Sequence, residues 1–388
     1  MSKRSVRQQV RAIYCRQTSA DEHPQMNNQP IESRIKVLIV DDSAFMRMAL
    51  ARMLAHDPRL WVVGSAANGT EALQKIVTLD PDVVTLDVEM PGPDGLATLR
   101  CIMALLPRPV IMVSSVTEQQ AEITFNALAA GAFDYVPKQL ASSSLDIHHI
   151  GEELVAKIKA AAESWHSRCR LGFLRKPPRA AVLPTPEVSH SAPAIMALGV
   201  STGGPKALEE MLPILPVDFP VPILIVQHMP AGFTAPFAKR LNSICAVSVC
   251  EASHGEVIRP GVIYLAPAGF HMTVNHRGNS RMLISLSGKA EDQVYIPSVD
   301  VMMQSVAAAF HSHAMGIIMT GMGSDGAQGM KAIHGEGGLT VGQDEASCAV
   351  YGMPRVCAEM GILDRVVPLS QIPHEILQAT GYRKASVI

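Results

Sequence analysis

The 388-residue sequence predicts an α/β protein made of two doubly wound, mostly parallel halves joined by a Pro-rich linker. Three observations carry that expectation. Short β-branched runs alternate with amphipathic helical stretches from about residue 34 to 164, the alternation stops over about residues 166–192, and it then restarts and runs to about residue 380. Strand–helix alternation of this kind makes a parallel sheet covered by helices on both faces.

In the first half the expected strands span residues 35–40, 61–66, 83–86, 110–113 and 135–136. Between the first two, Phe45, Met46, Ala49, Leu50, Met53 and Leu54 recur at helical spacing. Five such βα units predict a flavodoxin-like sheet over residues 34–164. The expected linker, 165–192, holds Arg168, Arg170, Arg175, Lys176 and Arg179 among Pro177, Pro178, Pro184 and Pro186. Proline and charge without an apolar period describe a semi-extended, solvated tether; with aromatics nearly absent, a nucleic-acid patch is the weaker reading. The second half, 193–388, repeats the α/β alternation with a more β-rich stretch at 262–287. Residues 1–33 are polar and aperiodic, the pattern of a disordered extension, and Met26 is an alternative candidate start.

Composition narrows the function classes. Apolar residues make up 48%, charged residues 18%, and the net charge is −2, which argues against a chain devoted to nucleic acid. No apolar run reaches the length of a membrane span. Lys3, Arg4, Arg7 and Arg11 are followed by no apolar segment, so the N-terminus does not read as a secretory signal. Seven scattered cysteines form no CxxC pair, which fits reduced thiols in a cytoplasm.

Chemistry-bearing residues gather at strand ends. Asp41 and Asp42 follow the first strand and Asp87 the third, and those ends are neighbours in a doubly wound sheet. Three close carboxylates repel unless a hard cation sits among them, and Mg²⁺ suits oxygen ligands with water retained. Ser114 ends the fourth strand and Lys138 the fifth. A carboxylate between Mg²⁺ and an ammonium can accept a phosphoryl group, because both cations offset its charge. A strand-end Asp can also be a plain helix cap, and Asp42 beside Ser43 has that competing role.

In the second half, three strand-like runs each end in one member of a Ser, His, Asp set. Ala194-Ile-Met-Ala-Leu-Gly-Val200 leads to Ser201, Ile223-Leu-Ile-Val-Gln227 to His228, and Gly316-Ile-Ile-Met-Thr320 to the loop holding Asp325. A hydroxyl, an imidazole and a carboxylate at the carboxyl ends of parallel strands can act as nucleophile, base and orienter in acyl hydrolysis. Gly199-Val-Ser-Thr-Gly203 matches the G-x-S-x-G elbow, although the order Ser, His, Asp differs from that of the α/β-hydrolases. A dinucleotide site is the rival, since Gly321-Met-Gly-Ser-Asp-Gly326 fits G-x-G-x-x-G and Asp344 lies 18 residues further on (344 − 326). Against it, Asp325 would face a pyrophosphate, like charge against like.

Residues 34–145 resemble a two-component receiver domain, on Val40-Asp-Asp-Ser43, Leu86-Asp-Val-Glu-Met-Pro91 with Gly95, Val113-Ser-Ser115 and Tyr135-Val-Pro-Lys138. The resemblance implies that Asp87 is the phosphoacceptor, Asp41 and Asp42 are metal-side acids, and Glu89 supplies a backbone carbonyl. Ser114 is then the switch hydroxyl, Tyr135 the switch aromatic and Lys138 the partner cation. Receivers usually carry Pro after that Lys; here Gln139 follows it and Pro137 precedes it.

With the second half included, the architecture resembles the chemotaxis protein-glutamate methylesterase (CheB) family. The match covers about residues 194–375, on Gly199-Val-Ser-Thr-Gly-Gly-Pro205, Gln227-His-Met-Pro230, Arg259-Pro-Gly-Val-Ile-Tyr-Leu-Ala-Pro267, Pro297-Ser-Val-Asp300 and Thr320-Gly-Met-Gly-Ser-Asp-Gly326. It implies Ser201 as nucleophile, His228 as general base, Asp325 as its orienter, and backbone amides near Thr202 and Met322 for the oxyanion. It further implies methyl-accepting chemotaxis receptors as substrates, deamidation of their glutamines, a chemotaxis histidine kinase as phosphodonor, and a cytoplasmic location. Mg²⁺ is then required at the receiver, and no cofactor for ester hydrolysis. An adaptor that senses phosphate without turnover is the competing class, and intact Ser201, His228 and Asp325 argue against it.

Overall fold

The computed structural model describes residues 34–92, 94–115, 117–138, 144–170, 190–277, 281–288 and 295–382. The expected extension at 1–33 and most of the expected linker lie outside the described residues. The first half runs β1 (Ile35–Val40), α1 (Ala44–Ala55), β2 (Leu60–Ala66), α2 (Gly69–Leu79), β3 (Val83–Asp87), α3 (Gly95–Leu105), β4 (Val110–Ser114), α4 (Glu118–Ala129), β5 (Asp134–Pro137) and α5 (Ser144–Arg170). Its five strands are parallel in the order β2-β1-β3-β4-β5. Each helix from α1 to α4 starts where an oxygen-bearing side chain takes an orphan N–H: Ser43, Asn68, Asp94 and Thr117.

One boundary differs from the sequence expectation. Helix α5 continues to Arg170, past the expected linker start at 165. The stretch from Trp165 to Arg170 has no Gly or Pro, so nothing in the backbone chemistry stops the helix there.

Alternate faces of this sheet are buried against different helices. Val37, Ile39, Ile111 and Val136 pack with Leu50 and Leu54 of α1 and Leu154 and Ile158 of α5. Leu38, Leu86 and Met112 pack on the other face with Ile76, Leu99 and Phe125. Each fully buried side chain of this size contributes about 1.5–3 kcal/mol.

The second half runs β6 (Ile195–Val200), α6 (Gly204–Met211), β7 (Ile223–Gln227), α7 (Thr234–Ile244), β8 (Ser248–Glu251), β9 (Val262–Leu265), β10 (His271–Arg277), β11 (Arg281–Ser287), α8 (Val299–Phe310), β12 (Ala314–Ile318), α9 (Ala327–Gly335), β13 (Leu339–Gln343), α10 (Met353–Glu359), β14 (Arg365–Val367) and α11 (Ile372–Ala379). Seven strands form a parallel sheet in the order β14-β13-β12-β6-β7-β9-β8, and β10 and β11 form a separate antiparallel hairpin. The β-rich stretch therefore contributes one sheet strand, β9, and one hairpin. Strand β6 lies between β12 and β7, so the loops after these three strands open side by side.

The two halves meet through aromatic rings. Phe125 of α4 stands edge-on to Phe233 at 6.1 Å and packs against Phe237 of α7 at 5.0 Å. Tyr135 of β5 stacks on Phe233 at 4.8 Å. Arg240 of α7 donates to Asn126 of α4 at 2.7 Å and is held in its own half by Glu209 of α6. Beside this contact lies a cavity of about 250 Å³, lined by Leu128, Asp134 and Trp165 on one side and Gly203, Lys206 and Thr320 on the other.

Candidate active site

Backbone bonds continue the ladder beyond the strand ends and fix the three loops. The Ser201 N–H donates to the Thr320 carbonyl, and the His228 N–H donates to the Val200 carbonyl. The turn after Ser201 needs glycine. Gly203 adopts φ +76°, and a Cβ at Gly204 would collide with the Gln227 carboxamide. That carboxamide in turn donates to the Ser201 carbonyl at 3.0 Å and the His228 carbonyl at 2.9 Å, tying the two loops together. On the other side, Gly321 comes so close that a Cβ there would lie 2.8 Å from Ser201 Cβ.

His228 Nε2 and Asp325 Oδ2 are 2.8 Å apart, a bond that reaches across the strand carrying Ser201. Asp325 sits at the N-terminus of α8 and is saturated with donors. Ser298 Oγ gives one bond at 2.8 Å, the Val299 N–H one at 2.7 Å and the Asp300 N–H one at 3.0 Å. Burial works to raise this carboxyl, but the His228 bond and the α8 N–H groups outweigh it and hold it below the ordinary carboxylate range. An ionised Asp325 accepts from Nε2–H, which leaves the lone pair of His228 on Nδ1. Nδ1 is buried and has no hydrogen-bond partner among the described residues, so it is the nitrogen free to take a proton. The Ser201 hydroxyl is not bonded to it in this conformation; such bonds commonly tighten only with substrate in place.

These positions also bear on the dinucleotide alternative. The acid of the Gly321–Gly326 loop is turned into α8 and His228, with all its donors inside the protein. A pyrophosphate at that loop would meet a committed negative charge.

The first half forms a second polar site at the carboxyl ends of β1, β3, β4 and β5. Carboxylate oxygens of Asp41, Asp42 and Asp87 lie within 4.8 Å of one another. Lys138 Nζ is 2.9 Å from Asp41 Oδ2 and 2.6 Å from Asp87 Oδ2, and among the described residues neither oxygen takes a hydrogen bond in addition. Burial pushes the Asp87 carboxyl up to about 6 against the opposing pull of Lys138. Two buried carboxylates that share one ammonium, beside an exposed third acid, form an all-oxygen donor set that fits Mg²⁺. The Glu89 N–H donates to Asp87 Oδ1 at 3.2 Å, which brings its peptide to the same pocket. Ser114 Oγ accepts from Thr124 Oγ1 at 2.9 Å, and the Tyr135 ring is buried between Phe233 and the Lys157 ammonium.

The structure thus brings together Ser201, His228 and Asp325 in one site and Asp41, Asp42, Asp87 and Lys138 in another. Thr202 and Met322 lie in the two glycine loops that flank Ser201. Sequence reasoning missed the residues that hold these groups. Ser298 and Gln227 were visible as text beside the expected site, but only the fold gives them their bonds. Tyr295, whose ring stacks on His228 at 4.6 Å and 7°, stands in a polar loop with no period to mark it.

Comparison with known proteins adds two family matches: CheB methylesterase over residues 196–376 and the response regulator receiver domain over residues 37–148. A protein-glutamate methylesterase/protein-glutamine glutaminase of Geobacter sulfurreducens is 44% identical over 358 residues, covering 90% of this chain and 98% of that one. Its counterpart in Pyrococcus abyssi is 43% identical over 348 residues, covering 89% and 94%. The crystal structure of the Thermotoga maritima CheB methylesterase catalytic domain, 37% identical, aligns over 48% of this chain and 99% of that one with a TM-score of 0.47.

Proposed function

The chain belongs to the CheB methylesterase family, and we propose that it removes methyl esters from glutamate side chains of methyl-accepting chemotaxis receptors under control of Asp87 phosphorylation. The same site deamidates receptor glutamines. The observation that carries this reading is the His228–Asp325 bond spanning the strand that ends at Ser201.

Ser201 Oγ attacks the ester carbonyl carbon while its proton passes to His228 Nδ1, and Asp325 holds the imidazolium through Nε2. The Thr202 and Met322 N–H groups receive the oxyanion. The carbon–oxygen bond to the methyl group's oxygen then breaks, and the imidazolium gives that oxygen its proton, so methanol leaves. Water attacks the acyl carbon by the same steps in reverse order of roles, freeing the glutamate side chain and restoring Ser201. With a glutamine side chain the leaving group is ammonia.

At the receiver, Asp41, Asp42, Asp87 and the Glu89 carbonyl would hold Mg²⁺, which offsets the charge of an incoming phosphoryl group. Asp87 accepts that group from a chemotaxis histidine kinase, and Lys138 pairs with it. Ser114 and Tyr135 then move inward. The unphosphorylated receiver packs through α4 on α6 and α7, the helices that follow Ser201 and His228, and this contact restrains access to the crevice. A chain beginning near Pro193 should therefore be more active than the unphosphorylated full chain, and equal activity contradicts the restraint.

Mass spectrometry after treatment with a fluorophosphonate tests the nucleophile. The reading expects one adduct, on Ser201, lost in Ser201→Ala; an adduct elsewhere or none contradicts it.

A further inference from the structure

His228 is held at one edge by a single hydrogen bond, Nε2 to Asp325 at 2.8 Å. One bond to one oxygen leaves the imidazole a soft arc of rotation about its Cβ–Cγ axis. At the other edge, Nδ1 has no hydrogen-bond partner among the described residues to stop that rotation. Tyr295 is the aromatic neighbour of that imidazole. Its ring lies on the imidazole with centroids 4.6 Å apart and only 7° between planes. The same phenol extends over the neighbouring loop, where a Cβ at Gly323 would be 3.1 Å from the Tyr295 hydroxyl. Tyr295 thus spans from the imidazole to the loop that holds Met322.

Burial does not account for this placement. Tyr295 keeps 40% of its surface exposed, so its ring adds little to the core. Its exposed position would suit a polar side chain equally well. An exposed ring, parallel to an imidazole whose free nitrogen is buried, is placed to act on that imidazole. Parallel stacking fixes the ring plane and is worth about 0.5–1.5 kcal/mol between aromatic partners. Once the imidazole is protonated, the electron-rich face of the phenol also meets a cation, an interaction stronger than the neutral stack. Asp325 offsets the same charge from the Nε2 edge.

We propose that Tyr295 is a positioning residue for the hydrolysis: its ring clamps the His228 imidazole in the plane that presents Nδ1 to Ser201, and its π face offsets the charge of the imidazolium. The proposal rests on the reading of His228 as the base of the reaction. It assigns the effect to the ring and not to the hydroxyl.

The test uses the full chain with Tyr295→Phe and Tyr295→Leu. Four quantities are read: the rate at which a fluorophosphonate captures Ser201, kcat and KM for methanol release from a methylated receptor fragment, and the thermal midpoint. Tyr295→Phe is expected to stay within about twofold of wild type. Tyr295→Leu is expected to lose about tenfold in capture rate and in kcat, with KM and the thermal midpoint nearly unchanged, the fold-change of about 1.4 kcal/mol. Wild-type capture by Tyr295→Leu overturns the proposal, and so does a Tyr295→Phe protein as slow as Tyr295→Leu. Capture does not need the receptor. A wild-type protein that is captured but releases no methanol therefore refutes the substrate and leaves the Tyr295 comparison decisive.

Discussion

The Tyr135 ring lies on the Phe233 ring, 4.8 Å between centroids and 25° between planes, and Phe233 is five residues beyond His228. Tyr135, the proposed switch aromatic of one half, is therefore a packing partner of the loop that carries the candidate base in the other. Phe125 adds two further ring contacts to the same cluster. Aromatic pairs of this kind contribute about 0.5–1.5 kcal/mol each beyond their burial. Any inward or outward movement of Tyr135 must break or remake that contact.

A side chain outside the ring cluster tests the restraint more cleanly. Asn126→Ala removes the bond from Arg240 across the interface while Arg240 keeps Glu209. Basal methanol release is expected to rise about twofold to tenfold, the effect of one polar bond of about 0.5–1.5 kcal/mol. Release from the phosphorylated protein should stay the same. A fall in both would show that the contact supports the active conformation.

The cradle of Asp325 predicts a graded series. Asp325→Asn should lower kcat by about three to four orders of magnitude, because Nε2 loses its anionic acceptor and the tautomer is no longer fixed. Ser298→Ala removes one of the four donors to that carboxylate and also the α8 cap. It should cost about tenfold in kcat and about 1 kcal/mol of stability. Steady-state kinetics and thermal unfolding on the two variants separate these effects.

Gln227→Ala should leave the fold intact but let the Ser201 and His228 loops drift apart, since one carboxamide bridges both carbonyls. A displacement of about 1 Å between reacting groups can cost about a hundredfold. The expected result is a fall in kcat of about ten- to a hundredfold with less change in KM. An unchanged kcat means that the backbone ladder alone sets the spacing.

The receiver pocket carries a pH signature. Burial raises Asp87 to about 6, so in the absence of metal its carboxylate is present above that pH and protonated below it. Because Mg²⁺ must displace that proton, its affinity should fall about tenfold per pH unit below pH 6 and be flat above it. The folded value lies above the ordinary carboxylate value, so this group's contribution to stability declines as pH rises through about 6. Asp87→Asn should accordingly raise the thermal midpoint of the metal-free protein at pH 8 more than at pH 5. Calorimetric Mg²⁺ titrations at pH 5, 6 and 7 check the first expectation, and a pH-independent affinity contradicts it.

Much of this was legible in the sequence, for a physical reason. Strand ends are marked by the change from β-branched runs to Gly, Asp, Ser and His, and the parallel topology then puts those ends on one rim. Asp41, Asp87, Ser201, His228 and Asp325 could be read in that way. The partners could not, because they depend on contacts between segments far apart in the chain. Ser298 reaches Asp325 from another loop, 27 residues away, and Asn126 meets Arg240 across 114 residues. Helix α5 outran its expected end because a charged, proline-free stretch can be helix or tether, and the sequence pattern favoured the second.

The central claim is a Ser201-dependent methylesterase gated by Asp87, and methanol release tests it most directly. Wild type and Ser201→Ala would each be assayed on methyl-labelled receptor fragments, with and without a small phosphodonor and Mg²⁺. Release by wild type should rise with phosphodonor, and Ser201→Ala should release none. Release that ignores phosphodonor would contradict the gate, and release that survives the loss of Ser201 would contradict the mechanism.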